Sequence, residues 1–271
     1  MSMKNLAGII SSPSSLLREQ ALGFIKKGQE ALEANDAATA VKLFKPATQA
    51  APEILEAWLG LGDAQSDLGN SLEAIEAYKK AVALQPEDPE VFLQLGREQL
   101  TAELHSEAEL NLMHGLVLSQ DAGAVADDYY NLALCLYLQG REAEAIPFCR
   151  RAQQYESEAD VEMLLGNSLY DIGGYEEAVT EYQKVLRHDP ENDSCLVNLG
   201  LALEFLGNQE EAIPILQKAA AKQPENAELY ASLSRCFEAA GNDDEAQKAA
   251  LKYHELTDKP EVPSEETSEQ T

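Results

Sequence analysis

Basic residues are scarce in this chain. Its 271 residues hold 20 Lys and Arg against 48 Asp and Glu, a formal charge of -28 at pH 7. Proteins that gain affinity by neutralising phosphates need clustered cations, so the balance speaks against nucleic acid as a partner and equally against an anionic membrane surface. Aromatic residues make up only 6%, with a single Trp, which is low for an ordinary globular core. Long apolar runs are missing too. The opening segment offers only residues 6–10, short of the roughly 18 residues that span a bilayer, and it has no small-x-small cleavage site, so it reads as a retained, cytoplasmic N-terminus. The four cysteines, Cys135, Cys149, Cys195 and Cys236, form no CxxC pair and no disulfide framework, and are expected as small buried apolar residues.

The charge is unevenly placed. Residues 1–52 carry six basic and four acidic side chains, a net of +2, which leaves -30 on the remainder. Residues 259–271 combine two prolines and four glutamates with no apolar period, and read as a disordered acidic tail.

Self-similarity dominates what is present. Gly28, Gly62, Gly96, Ala133, Gly166, Gly200 and Ser234 each follow a comparable apolar stretch, at spacings of 34, 34, 37, 33, 34 and 34 residues. Each unit reads as two amphipathic helices around a tight turn. In the second, Trp58, Leu61 and Leu68 mark one helix, Gly69-Asn70 breaks it, Ala74, Ile75, Tyr78, Ala81 and Val82 mark the next, and Pro86 prevents its continuation. Seven units follow, at 21–54, 55–88, 89–125, 126–158, 159–192, 193–226 and 227–258, after an N-terminal segment of residues 1–20. The sequence around Pro13-Ser14-Ser15 predicts a serine-capped start for a long first helix, and the polar last helix, starting at Asp243, can close the array by itself. The third unit lacks its closing proline, carries Gly115 in its second helix and is followed by the one insertion, near Gly123, which predicts a looser joint between repeats three and four. Pro46, Pro147 and Pro214 fall inside second helices, where an interior proline either kinks the helix or is absorbed by flanking packing.

These residues resemble the tetratricopeptide repeat: Trp58, Leu61, Gly62, Ala74, Tyr78, Ala81 and Pro86 in the second unit, and Phe24, Gly28, Ala40, Phe44, Ala47 and Pro52 in the first, with the fifth and sixth nearly as complete. Glu162 departs from the pattern by replacing an aromatic in the fifth. The resemblance implies an all-α, right-handed α-solenoid whose first (A) helices line a concave groove. Carried onto this chain, that groove runs through Leu93 and Arg97, then Tyr130, Leu134 and Tyr137, then Met163, Asn167 and Tyr170, then Val197, Leu201, Glu204 and Phe205. It is unusually apolar and aromatic for a surface facing water. The lysine and asparagine clamp that chaperone-tail binders of this kind use is absent, with Ile25, Gln29 and Gly60, or Tyr130, Leu134 and Leu164, in its places. An asparagine ladder is absent too, since only Asn131 and Asn198 of seven positions qualify.

No phosphate loop, HExxH or GxSxG is present, and the four histidines stand at no metal-ligand spacing. Acidic pairs such as Asp127-Asp128 and Glu210-Glu211 open helices, where the macrodipole favours negative charge. The chain therefore reads as a non-enzymatic adaptor without cofactor or metal, binding a peptide or helical segment that carries basic and apolar residues. Two alternatives share the groove: a chaperone-like holder of an aggregation-prone client, and a homo-oligomeric scaffold assembled through the N-terminal segment.

Overall fold

The computed structural model describes residues 13–119, 126–155 and 158–258. The expectations for the N-terminal segment before Pro13, the insertion near Gly123 and the acidic tail fall outside the described residues. Among the described residues are fourteen helices and no strand. They pack pairwise in chain order: α1 (Pro13–Glu33) with α2 (Ala37–Ala50), α3 (Leu55–Asp67) with α4 (Ser71–Leu84), α5 (Pro89–Thr101) with α6 (His105–Ser119), and α7 (Ala126–Leu138) with α8 (Glu142–Tyr155). Then come α9 (Ala159–Asp171) with α10 (Tyr175–His188), α11 (Asp193–Phe205) with α12 (Gln209–Lys222), and α13 (Ala227–Ala239) with α14 (Asp243–Thr257). Within each half, each pair also packs on the next. This is the all-α repeat architecture that the periodicity predicts.

Every pair turns through one residue in the left-handed region. Five are glycines, Gly69, Gly140, Gly173, Gly207 and Gly241, at φ between 70° and 83°; the other two are Asn35 at 55° and Glu103 at 59°. Asparagine tolerates this region, whereas a glutamate has a Cβ that crowds the following carbonyl. Glu103→Gly is therefore expected to stabilise the protein by about 0.5–1 kcal/mol, the steric relief being partly offset by glycine's greater freedom in the unfolded chain. Urea unfolding of the two proteins checks this.

The small-residue register has a packing cause. Sixteen residues after each small residue, the B helix supplies the side chain that sits on it. A Cβ built on Gly62 would lie 2.5 Å from the Tyr78 ring, one on Gly166 2.6 Å from Tyr182, and one on Gly96 2.7 Å from Leu112. Where the A helix carries Ala133 or Ser234 instead, the corresponding B residue shrinks to Cys149 or Ala250. The serine hydroxyl also donates to the Ala246 carbonyl at 3.1 Å. Gly115 belongs to the same logic: Leu93 occupies the space that an alanine there would need, its Cγ 2.7 Å from the Cβ position. Phe24 is an exception to the pattern, since it is exposed on α1.

Several expectations are corrected. Ser14 and Ser15 lie within the first turn of α1, which starts at Pro13, so they do not stand ahead of it as caps. The interior prolines are not among these corrections: helices α2, α8 and α12 run uninterrupted through Pro46, Pro147 and Pro214. The chain divides into two compact units, but the division falls after α8, at Tyr155, and not between repeats three and four. Side chains explain why those repeats hold together: Arg97 on α5 donates to Asp128 on α7 at 2.9 Å, and Arg141, beside α8, reaches Glu109 on α6 at 2.7 Å. In α14 only Ala246 and Ala249 are buried, so most of its surface is polar or exposed. All four cysteines are free and buried. Burial pushes Cys135, Cys149 and Cys195 up to about 12 and Cys236 to about 11, so the thiols stay protonated and unreactive.

Candidate functional site

In the first unit the A-helix face of α3, α5 and α7 is mostly a polar structural network. The Tyr78 hydroxyl donates to Asp63 at 2.8 Å, and Ser66 donates to the buried carboxylate of Glu98 at 2.6 Å. Arg97 is committed twice, to Glu90 at 2.6 Å and to Asp128, whose side chain is only 2% exposed. It therefore holds two repeats together rather than standing ready for a partner, and Asp128 is no solvated helix-start carboxylate. Leu93, at 2% exposure, is core and not groove, because it fills the gap over Gly115. Tyr130, Leu134 and Tyr137 stand half-buried, about one turn apart, on α7.

Burial lifts the Asp63 carboxyl above its usual range; the Tyr78 hydrogen bond opposes this, and Asp67 and Glu90 add to it. A carboxyl whose pKa is raised on folding stabilises the fold only while protonated, and that contribution disappears as pH rises through the folded value. The equivalent residue in the fifth repeat is Asn167, whose Oδ1 accepts from Tyr182 at 2.9 Å as Asp63 accepts from Tyr78. Asp63→Asn is accordingly expected to raise the melting temperature at pH 7, with the gain shrinking as pH falls into the carboxylate range. Thermal melts at several pH values check the sign.

The second unit presents a different face on α9, α11 and α13. Tyr170, Tyr175 and Phe205 form one aromatic cluster: Tyr175 stacks on Phe205 with centroids 4.9 Å apart, and Tyr170 meets both edge-on at 5.3 and 5.8 Å. Phe205 remains 59% exposed and neighbouring Ile172 50% exposed. Burial, then the fields of Tyr175, Glu228, Glu204 and Asp171, push the Tyr170 hydroxyl up to about 12, so it stays a neutral donor. Asn167 is held by Tyr182 and by the Asn198 amide at 2.9 Å, and Glu204 is bound by the Arg235 guanidinium. Met163 and Val197 are half-buried along the same helices, whereas Leu201 is nearly buried. The structure thus brings a half-buried Tyr170 against an exposed Phe205, and it uses Asn167, Glu204 and Arg97 as internal fasteners.

Tyr175 and Arg235 were not legible as site residues. Tyr175 opens a B helix, outside the A-helix face on which the groove residues lie. Arg235 had a signal, since Asn167–Asn198 and Glu204–Arg235 share a spacing of 31 residues, one helical turn short of the repeat.

Two family models described as tetratricopeptide repeat match residues 25–89 and 163–227, and residues 206–261. Together they span well over half of the sequence. The chain belongs to the tetratricopeptide repeat family. A model described as anaphase-promoting complex, cyclosome, subunit 3 matches residues 112–185. Tetratricopeptide repeat protein 8 of Caenorhabditis elegans is 25% identical over 165 residues, which is 60% of this chain but only 32% of that protein, so the chain spans about a third of the relative's length. Among solved structures, YrrB, described as a TPR protein with an unusual peptide-binding site, superposes with a TM-score of 0.61 at 22% identity, covering 68% of this chain and 93% of its own. Pseudomonas aeruginosa PilF superposes with a TM-score of 0.62 at 17% identity over 87% and 99% of the two chains. These likenesses establish the α-solenoid fold. As a tetratricopeptide repeat protein the chain is a protein-interaction scaffold in general terms, and no helix among the described residues is long and apolar enough to cross a membrane.

Proposed function

We propose that the chain is a non-enzymatic adaptor whose second unit binds a basic and apolar segment of a partner protein on the α9–α11 face. The observation that carries this reading is the aromatic cluster with Phe205 at its exposed edge. A rigid aromatic surface fringed by the carboxylates of Asp171 and Glu228 suits an apolar anchor beside a Lys or Arg, which gains both burial and a cation over the ring. The charge of -30 beyond residue 52 adds long-range attraction and salt-sensitive association. Four buried free thiols suit a reducing compartment such as the cytoplasm.

Affinity capture with mass spectrometry, comparing wild type with Phe205→Ala, tests the reading. A partner retained by the wild type should be depleted by the variant, with an affinity loss of about tenfold or more for an aromatic anchor. An unchanged set of captured proteins would show that the cluster is not the binding surface.

A further inference from the structure

The second unit carries another depression on a different face. Between α10 and α12, over α11, lies an open cleft of about 800 Å³. Leu199 and Leu203, both almost fully buried, close its base, and the more accessible Leu186, Pro214 and Ile215 supply its apolar wall. The first unit builds the equivalent place between α2 and α4, over α3, but there it is smaller, about 450 Å³, and Gln65, Glu76 and Ala77 stand where Leu203, Pro214 and Ile215 stand in the second. The repeat fold therefore builds a cleft at this position in both units, lined in the first by Trp58, Leu61 and Leu72 as well, and the second unit makes it wider.

The charges at its rim are unspent. Arg187 lies in the last turn of α10, and Glu210 and Glu211 lie in the first turn of α12. Among the described residues of this unit Lys184, Lys218, Lys222, Arg235, Lys248 and Lys252 each engage a carboxylate, whereas Arg187, Glu210 and Glu211 enter no ion pair. The helix macrodipole explains which helix end each sign occupies. It does not explain why the one unpaired guanidinium of a unit so rich in carboxylates stands on an apolar cleft.

We infer that this cleft is a second docking site, for a short amphipathic segment of a protein partner that seats an apolar side chain against Leu186, Pro214 and Ile215. The segment presents a carboxylate to Arg187 and a base to Glu210 and Glu211. Its charge requirement differs from that of the aromatic face, where Arg235 is held by Glu204 and the carboxylates of Asp171 and Glu228 remain, so the two sites select different sequences.

The test uses the full chain and three fluorescein-labelled helical peptides, each with a leucine pair at one-turn spacing. The pair is flanked by Glu on one side and Lys on the other, by Lys on both, or by Glu on both. In fluorescence anisotropy the mixed peptide is expected to bind the wild type most tightly. Arg187→Glu should move the preference to the Lys-flanked peptide, changing the ratio of the two affinities by about tenfold. Ile215→Ala, which installs the residue found at position 77, should weaken the mixed peptide several-fold, with circular dichroism melts confirming the fold. Phe205→Ala should leave the mixed peptide unaffected, which separates this site from the aromatic face. The inference fails if the mixed peptide does not bind, if Arg187→Glu leaves the ranking unchanged, or if Phe205→Ala weakens the mixed peptide while Ile215→Ala does not.

Discussion

Gly60→Ala should destabilise the first unit by about 2–3 kcal/mol, although it adds a single methyl group. Phe44 on α2 is fully buried, and its ring lies between Gly28 on α1 and Gly60 on α3. A Cβ on Gly60 would overlap the ring atoms Cε1 and Cζ outright. The ring has little room to retreat, because it already lies so close to the Gly28 backbone that a Cβ there would come within 2.8 Å of it. Interiors packed to this density answer an added methylene with backbone movement, here at the joint between repeats one and two. Phe44→Leu removes part of the ring, so the double variant should be more stable than the two separate losses predict, a coupling that urea unfolding resolves. Equal, additive losses would mean that the ring does not lock these helices.

Arg97→Met should also cost stability, by about 2 kcal/mol, and the cause is electrostatic. Asp128 is almost fully buried, and Arg97 is the cation that reaches it from the preceding repeat. Removing the guanidinium leaves the carboxylate in a poorly solvated place, although Arg97 is itself about a third exposed (34%), so water can reach the pair and holds the loss below that of a fully buried one. Arg97→Met combined with Asp128→Asn should recover much of the loss, since the buried position then carries no charge. Were Arg97 a partner-binding residue of the groove, its replacement would change affinity and leave the melting temperature alone. Thermal unfolding of the single and double variants separates the two roles.

Period and turn chemistry were open to reading in the residues themselves. A small residue recurring at 33 to 37 residues marks helix pairs because two backbones can approach only where one side chain is missing, and the structure places Phe44, Tyr78, Leu112, Tyr182 and Leu216 on those spots. Side-chain commitment was harder to see. Helical periodicity gives the face on which Arg97, Asn167 and Glu204 lie, but their partners come from other helices of the array, at separations such as 31 residues that only the packed geometry reveals. Leu93 failed for a related reason: its burial depends on Gly115, in the next helix of the same repeat. The joint was misplaced because the missing proline and the insertion near Gly123 are local signals. The ion pairs of Arg97 and Arg141 that bind repeats three and four are not local.

Amide hydrogen exchange on the chain with and without a partner captured through the wild-type protein tests the central claim most directly. Binding should slow exchange in α9 and α11 around Tyr170 and Phe205, and Phe205→Ala should abolish that protection while α3 and α5 stay unchanged in both proteins. Protection confined to the first unit, or protection of α9 and α11 that survives Phe205→Ala, would contradict the assignment of the aromatic face as the adaptor's binding surface.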